Sequence, residues 1–169
     1  PAPTGPAPTG PAPTGPALTG PASSSAPPAL AVRCGAVRLD GVGAGSGPHY
    51  RLPSELDLPQ WHDHRGAVFE ELPLADVGPT LLTVAAAAGD PSDVAGRLAR
   101  HPGVVGEDME AFGVALAARE ARIPLHVVRG WSNVAGDRDK ARWDIDGALA
   151  AAWRVAAELL AEWLTEVRP

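Results

Sequence analysis

Two polar residues, Glu110 and Asn133, stand where an α/β protein places its chemistry. Glu110 follows the short apolar run 103–106, and Asn133 follows the apolar run 125–129. The carboxyl ends of parallel strands meet at one rim of a sheet, next to helix N-termini, and ligands bind there. A strand, helix and strand crossover would bring both residues onto this rim. The spacing therefore predicts a ligand site that combines a carboxylate with a carboxamide.

Each of these residues also has a structural explanation. A Glu at the start of a helix can be stabilised by backbone amides, and Met109 beside it can be a core residue. An Asn after a strand commonly closes a turn through its own side chain. The pattern alone leaves the structural and the functional interpretation open.

The elements that must position these residues follow an α/β pattern. Strands are predicted at 30–40 and 80–86, and the second is apolar enough to be buried on both faces, as in a parallel sheet. Helices are predicted at 92–100, with Ser92 as its N-cap, at 108–120 and at 146–166. The chain is 169 residues long, which is enough for one domain.

The last predicted helix carries an apolar stripe that we expect to be buried against the sheet. Asp144 or Asp146 is expected to cap its start. The stripe recurs at helical spacing and consists of Leu149, Trp153, Ala156 and Leu160.

Other segments predict little regular structure. Residues 1–29 repeat PAPTG-like units, and their proline content with few large apolar groups predicts a disordered tail. Residues 48–78 are rich in proline and are expected to be mostly connecting chain. The glycine-rich run 41–47 does not match a phosphate-binding turn. His62 and His64 lack a third ligand at suitable spacing, so no metal site is predicted.

Composition excludes several classes of partner. The net charge of −6 and the pI near 5.3 oppose binding to nucleic acid or to an anionic membrane. No apolar run approaches the ~20 residues of a membrane helix. A lone Cys34 is consistent with a reducing compartment, so a cytoplasmic protein is expected.

The segments EDMEAFGVALAA (107–118) and VRGWSNVAGDRD (128–139) resemble the nucleoside phosphorylase and nucleosidase superfamily. Within it, they look most like futalosine hydrolases, from about residue 80 to the C-terminus and more weakly back to residue 37. The resemblance implies a partial three-layer α/β fold with a mixed, mostly parallel sheet over residues 30–169.

The resemblance also implies an activity. It is hydrolysis of the N-glycosidic bond of futalosine, a step of menaquinone biosynthesis that releases hypoxanthine without a cofactor, by a homo-oligomer. Alternatives are another purine nucleoside phosphorylase, a methylthioadenosine or S-adenosylhomocysteine nucleosidase, and a non-catalytic purine-binding remnant.

By resemblance, Asn133 is the catalytic residue, because its amide can donate to N7 or O6 of a 6-oxopurine. The same resemblance implies a set of substrate-binding residues that contact the sugar or the base. Glu110 accepts from the ribose hydroxyls, Met109 lies against the sugar, and Trp143 stacks on the purine. Asp108 and Ser132 complete the set of substrate-binding residues.

One part of the resembled enzymes has no counterpart in this sequence. Their N-terminal half supplies a carboxylate that activates water, and no residue of 1–36 matches it. We therefore expect the sequence to be a fragment or to have a misassigned start.

Overall fold

The computed structural model describes residues 30–166 as an α/β arrangement of eight short strands and three helices. The strands are β1 (Ala31–Cys34), β2 (Ala36–Leu39), β3 (Trp61–Asp63), β4 (Gly66–Val68), β5 (Glu71–Pro73), β6 (Thr80–Thr83), β7 (Val104–Asp108) and β8 (Val127–Gly130). The helices are α1 (Pro91–Arg100), α2 (Ala111–Glu120) and α3 (Ile145–Glu166). The predicted disorder of 1–29 lies outside the described residues.

A mixed four-stranded sheet forms the centre of the fold, in the order β5-β2-β6-β7. Strands β2, β6 and β7 are parallel, and β5 pairs antiparallel to β2. The prediction of an α/β fold with a mixed, mostly parallel sheet is confirmed. The carboxyl ends of β2, β6 and β7 consequently lie at the same edge.

Strand β8 does not join this sheet but pairs antiparallel with β1. The single strand predicted at 30–40 is thus two strands, which break at Gly35. A Cβ at Gly35 would lie 2.5 Å from the backbone nitrogen of Gly78, so the two chain segments approach too closely there for any other residue. Because of this break, β1 pairs with β8 while β2 joins the central sheet.

Apolar side chains fill both faces of the sheet. On the α2 side, the buried cluster includes Val37, Leu72, Leu81, Phe112 and Ala115. On the α1 side, a smaller cluster consists of Leu82, Val84 and Val104, with Leu98 packed against it. Burial of each large side chain stabilises the fold by about 1.5–3 kcal/mol, so these clusters hold the helices on the sheet.

The first two helices begin at different residues from those predicted. Asp90, not Ser92, caps α1, because its carboxylate accepts from the Ser92 and Asp93 amides and Pro91 takes the first helical position. Helix α2 begins at Ala111 rather than at Asp108, which ends β7. The Asp108 carboxylate accepts from the Ala111 amide at 3.0 Å and so caps the helix from the preceding strand.

The prediction that α3 buries its large apolar stripe is wrong. Leu149 is 65% exposed, Trp153 75% and Leu160 54%, whereas Ala148 and Ala151 are buried. The reason is the closeness of β8, because a Cβ on Gly130 would lie 2.1 Å from the Ala148 carbonyl oxygen. Only small side chains fit between α3 and the β1-β8 pair. Asp144 accepts from the Gly147 amide at 2.9 Å, as one of the two predicted caps.

The glycine-rich run 41–47 and the segment 48–78, the latter predicted as mostly connecting chain, both contain little regular structure. They contain two short 3-10 helices, Gly47–His49 and Ser54–Leu56, besides the β3-β4 hairpin and strand β5. The run predicted as a strand at 80–86 ends at Thr83, although Val84 is still buried. Within residues 30–166, no helix combines the length and apolarity that crossing a membrane requires.

Candidate functional site

Asp108, the last residue of β7, ties together the elements around the predicted site. Its carboxylate accepts from the Thr83 hydroxyl at 2.8 Å, from the Ala111 amide at 3.0 Å and from Arg129 Nε at 3.2 Å. These donors belong to β6, α2 and β8, respectively. One largely buried carboxylate therefore holds the ends of three strands and the start of a helix in a fixed relation.

The Met109-Glu110 pair follows this anchor directly and is open to solvent. Glu110 occupies the N-cap position of α2, but its side chain caps no helix amide. The only hydrogen bond of this side chain within residues 30–166 is accepted from the Met109 amide, at 3.2 Å. Met109 is half-exposed. The carboxylate retains most of its acceptor capacity for a ligand.

The Ser132-Asn133 pair lies in the loop after β8. The Ser132 hydroxyl donates to Asn133 Oδ1 at 2.8 Å, and Asn133 Nδ2 donates to the Val134 carbonyl at 3.0 Å. The Ser132 carbonyl accepts from the Asp144 amide at 2.8 Å, which fixes the loop to the start of α3. Asn133 is exposed, and its present bonds are those of a local turn.

The loop after β8 crosses the carboxyl end of the central sheet. The Trp131 ring covers Gly106, where a Cβ would lie 2.2 Å from the ring, and Gly136 packs on the Asp90 backbone. The Arg129–Asp108 pair joins β8 to β7 at the same edge. Glu110 and Asn133 thus follow two tethered strand ends, although no hydrogen bond joins their side chains within residues 30–166.

Trp143 is half-buried at the end of this loop. Its Nε1 donates to the Asp137 carbonyl at 3.1 Å, and the Arg138 guanidinium lies 5.4 Å from the ring centroid. Arg142 donates to the Asp137 carboxylate at 2.7 Å, and this hydrogen bond holds the pKa of Asp137 below its usual range. The cation over Trp143 occupies a position that a flat base would need to share or displace.

A cleft of about 250 Å³ lies between β8 and α3. Its lining includes two polar residues, Ser132, which the sequence predicts as a site residue, and Arg129, which it does not. The rest of its wall is apolar. Its volume is just below the range typical of small-molecule pockets. A second cavity, between α1 and the sheet, holds only about 20 Å³ and is too small for a nucleoside.

The His62-Asp63-His64 segment lies away from this edge. Asp63 is paired with Arg119 of α2, and the hydrogen bond from that guanidinium lowers the pKa of the carboxyl. His62 and His64 are exposed. Across the described part of the chain, no three His, Cys, Asp or Glu side chains are grouped as a metal would require.

Sequence reasoning missed two groups at the sheet edge. Arg129 and Thr83 were given no role, although a basic residue near one strand end and a hydroxyl near another are natural partners for Asp108. The second group is buried: His101 Nε2 lies 2.9 Å from Asp40, which also accepts from Arg100. The sequence contains little sign of this group, because its hydrogen bonds join residues about 60 positions apart.

Burial of Asp40 opposes its ionisation, but hydrogen bonds from Arg100 and His101 outweigh this effect. The pKa of Asp40 therefore lies below its usual value. His101 is fully buried, and its Nδ1 has no hydrogen-bond partner among residues 30–166. The cluster fixes the carboxyl end of β2 next to β6, where the Asp40 amide donates to the Thr83 carbonyl at 2.9 Å.

Comparison with known proteins supports the resemblance that the motifs predict. The chain is 39% identical over 93 residues to the futalosine hydrolase of Acidothermus cellulolyticus, which covers 55% of this chain and 38% of that protein. It is 44% identical over 72 residues to the futalosine hydrolase of Streptomyces coelicolor, and this match covers 43% of this chain and 31% of that protein. No protein-family model matches the chain.

The similarity to futalosine hydrolases is thus confirmed over part of the chain. The matched region spans about a third of the length of each of these relatives. Both relatives are hydrolases by name.

Proposed function

We propose that this chain carries the ribose- and purine-contacting part of a cytoplasmic nucleosidase. The enzyme hydrolyses the N-glycosidic bond of futalosine and releases hypoxanthine for menaquinone biosynthesis. The observation that carries the proposal is the tether between Asp108 and Arg129, which holds the segments of Glu110 and Asn133 at one edge of the sheet. Similarity to two futalosine hydrolases supports the choice of substrate.

In this proposal Glu110 binds the sugar. Cleavage of an N-glycosidic bond develops positive charge on the ribosyl ring, and a carboxylate stabilises that charge while it accepts from the hydroxyls. Glu110 suits this role because it is exposed and has no cationic partner within residues 30–166. Met109 would lie against the apolar face of the ribose.

Asn133 acts on the departing base. Its amide can donate to N7 or O6 of hypoxanthine, which stabilises the electron pair that the base takes with it. In the described part of the chain the amide bonds only to Ser132 and Val134, so a purine can replace the Val134 carbonyl as its acceptor. The Ser132 hydroxyl holds the opposite end of the amide and sets its orientation.

Trp143 stacks on the purine, either on its free face or after Arg138 moves away. Asp108 acts mainly through its neighbours. It already accepts from a hydroxyl, an amide and a guanidinium, so it positions Glu110 and Arg129 around the substrate. Direct contact with the substrate would require one of these donors to leave.

A second candidate function is purine or nucleoside binding without turnover. This function is favoured by the ion pairing of the carboxylates that lie on β7 or directly after β2. Asp40, Glu107 and Asp108 are all paired with arginine, which leaves none of these three free to activate water. Purine nucleoside phosphorylase activity remains an alternative reaction at the same residues.

The test is incubation of the full chain with futalosine in phosphate-free buffer, with free hypoxanthine measured by chromatography. The proposal expects release of hypoxanthine without phosphate and a loss of at least about 10-fold in Glu110→Gln. Glu120→Gln, at the other end of the same helix, is the matched control and should retain the rate.

The outcomes separate the candidates. Strict dependence on phosphate indicates a phosphorylase, and binding of futalosine without product indicates the purine-binding function. Absence of both binding and turnover contradicts all three.

A further inference from the structure

The loop after β8 is held both at its ends and within. The Ser132 carbonyl accepts from the Asp144 amide at 2.8 Å, which closes the loop at its base. The Trp143 indole donates to the Asp137 carbonyl at 3.1 Å, which fixes the end of the loop to its middle. Side chains on this loop are therefore held at defined positions beside the candidate site.

The loop carries cationic side chains without matching acidic partners. Its acidic residues, Asp137 and Asp139, both lie within ion-pair distance of the same cation, Arg142, at 2.7 Å and 3.6 Å. Two further cations, Arg138 and Lys140, are exposed and form no ion pair in the described part of the chain. The loop thus presents uncompensated positive charge in a chain whose formal net charge is −6.

Of these two cations, Arg138 is held against an aromatic ring. Its guanidinium carbon lies 5.4 Å from the centroid of the Trp143 ring, which is within the distance of a cation–π contact. The guanidinium donates to no acceptor within residues 30–166. Its N–H groups form a planar fork that matches a carboxylate or a phosphate. A guanidinium that is positioned but not neutralised is suited to bind an anion.

We propose that Arg138 determines specificity by binding an anionic group of the nucleoside. This group is a carboxylate or a phosphate that the substrate carries in addition to its sugar and its purine. The inference rests on the proposed function, in which the sugar lies at Glu110 and the base at Asn133. Arg138 then stays over one face of Trp143, and the purine stacks on the opposite face.

The other charges at the site favour this position for an anion. Glu110 is exposed and has no cationic partner among residues 30–166, so it repels an anionic group placed near it. Arg129, another cation at this edge of the sheet, is already paired with Asp108. The negative charge of the whole chain also opposes the approach of an anionic ligand. Arg138 offsets these effects locally, so it favours an anionic nucleoside over a neutral one.

The test is isothermal titration of the full chain, in phosphate-free buffer of low ionic strength, with ligands that share one inosine unit. They are inosine, inosine monophosphate, the succinate half-ester at the primary hydroxyl of inosine, and the neutral methyl ester of that half-ester. The wild type should bind at least one of the two anionic ligands about 10-fold more tightly than it binds the neutral ligands. Tighter binding of the monophosphate indicates a phosphate group, and tighter binding of the half-ester indicates a carboxylate.

Substitutions on the loop assign this preference to one side chain. Arg138→Gln should lower the affinity for the anionic ligand to that for inosine, and Arg138→Lys should recover part of the difference, because it restores the charge without the planar fork. Lys140→Gln is the matched control, since it removes the same charge from the same loop. It should change the preference by no more than about 2-fold. Circular dichroism confirms that each variant is folded.

The possible outcomes separate this inference from the proposed function. Equal affinity of the wild type for the anionic and the neutral ligands overturns the inference alone. A preference that survives Arg138→Gln, or that Lys140→Gln reduces to the same extent, overturns it as well. If none of the ligands binds, the nucleoside site is contradicted and the inference with it.

Discussion

The guanidinium of Arg129 donates to the carboxylate of Asp108, with Nε 3.2 Å from Oδ2. This pair joins β8 to β7, two strands that share no backbone ladder. It connects the segment of Glu110 with the segment of Asn133. The relation between these two segments therefore depends on side-chain contacts and loop packing and not on pairing between β7 and β8.

Removal of the Asp108 carboxylate should destabilise the fold. Asp108→Ala leaves the Arg129 guanidinium, the Thr83 hydroxyl and the Ala111 amide without their acceptor, which should lower the free energy of unfolding by about 2–4 kcal/mol. Urea denaturation followed by circular dichroism measures this change. Asp146→Ala, on an exposed first turn of α3, should cost no more than about 1 kcal/mol. Equal effects of the two substitutions would contradict the anchoring role.

The buried Asp40 should make stability depend on pH in acid. Its pKa is lowered in the folded state, so its stabilising contribution is present above its unfolded pKa and is lost as pH falls through the folded value. Asp40→Asn should be less stable than the wild type near neutral pH, on the order of 2 kcal/mol. The difference should shrink as the pH falls below about 4. Chemical denaturation at a series of pH values measures it, and a constant difference would exclude this linkage.

Two glycine substitutions should have opposite effects. A Cβ on Gly106 would lie 2.2 Å from the Trp131 ring, so Gly106→Ala must displace the loop that carries Asn133. Gly113 lies in α2, and beyond that helix no atom of residues 30–166 lies within 4 Å of its Cβ position, so Gly113→Ala should stabilise the fold by about 0.5–1 kcal/mol through helix propensity. Thermal unfolding compares the two variants. A Gly106→Ala variant as stable as the wild type would show that the ring does not pack there.

Cys34 should be unreactive in the folded protein. The thiol is fully buried, and burial raises its pKa to about 11, which leaves little thiolate near neutral pH. A thiol reagent should react with it slowly in buffer and rapidly in denaturant. Fast labelling of the native protein would indicate that β1 opens readily.

Periodicity and motif spacing predict most of this fold. The buried run at Leu81 and Leu82 and the amphipathic α2 identify the sheet and one of its layers, because both patterns depend on local sequence. The partner of β8 and the exposure of Trp153 are not predicted. They depend on how closely Gly130 approaches α3, a tertiary distance that no local pattern contains. An apolar stripe has the same periodicity whether a sheet, a second copy or solvent faces it.

For the candidate site, too, the sequence predicts some residues and misses others. Glu110 and Asn133 are found by their positions after apolar runs, and the structure places both in solvent. Arg129, Thr83 and His101 are missed because their importance lies in long-range hydrogen bonds. Such contacts join residues that are far apart in sequence, so only the folded chain identifies them.

In the proposed site, Glu110 contacts the sugar and Asn133 contacts the base of one ligand. Isothermal titration of the full chain with inosine and with free hypoxanthine tests it most directly. Glu110→Gln should weaken inosine binding by at least about 10-fold and leave hypoxanthine binding unchanged, whereas Asn133→Leu should weaken both. If neither ligand binds the wild type, or if both substitutions leave both affinities unchanged, the claim is contradicted.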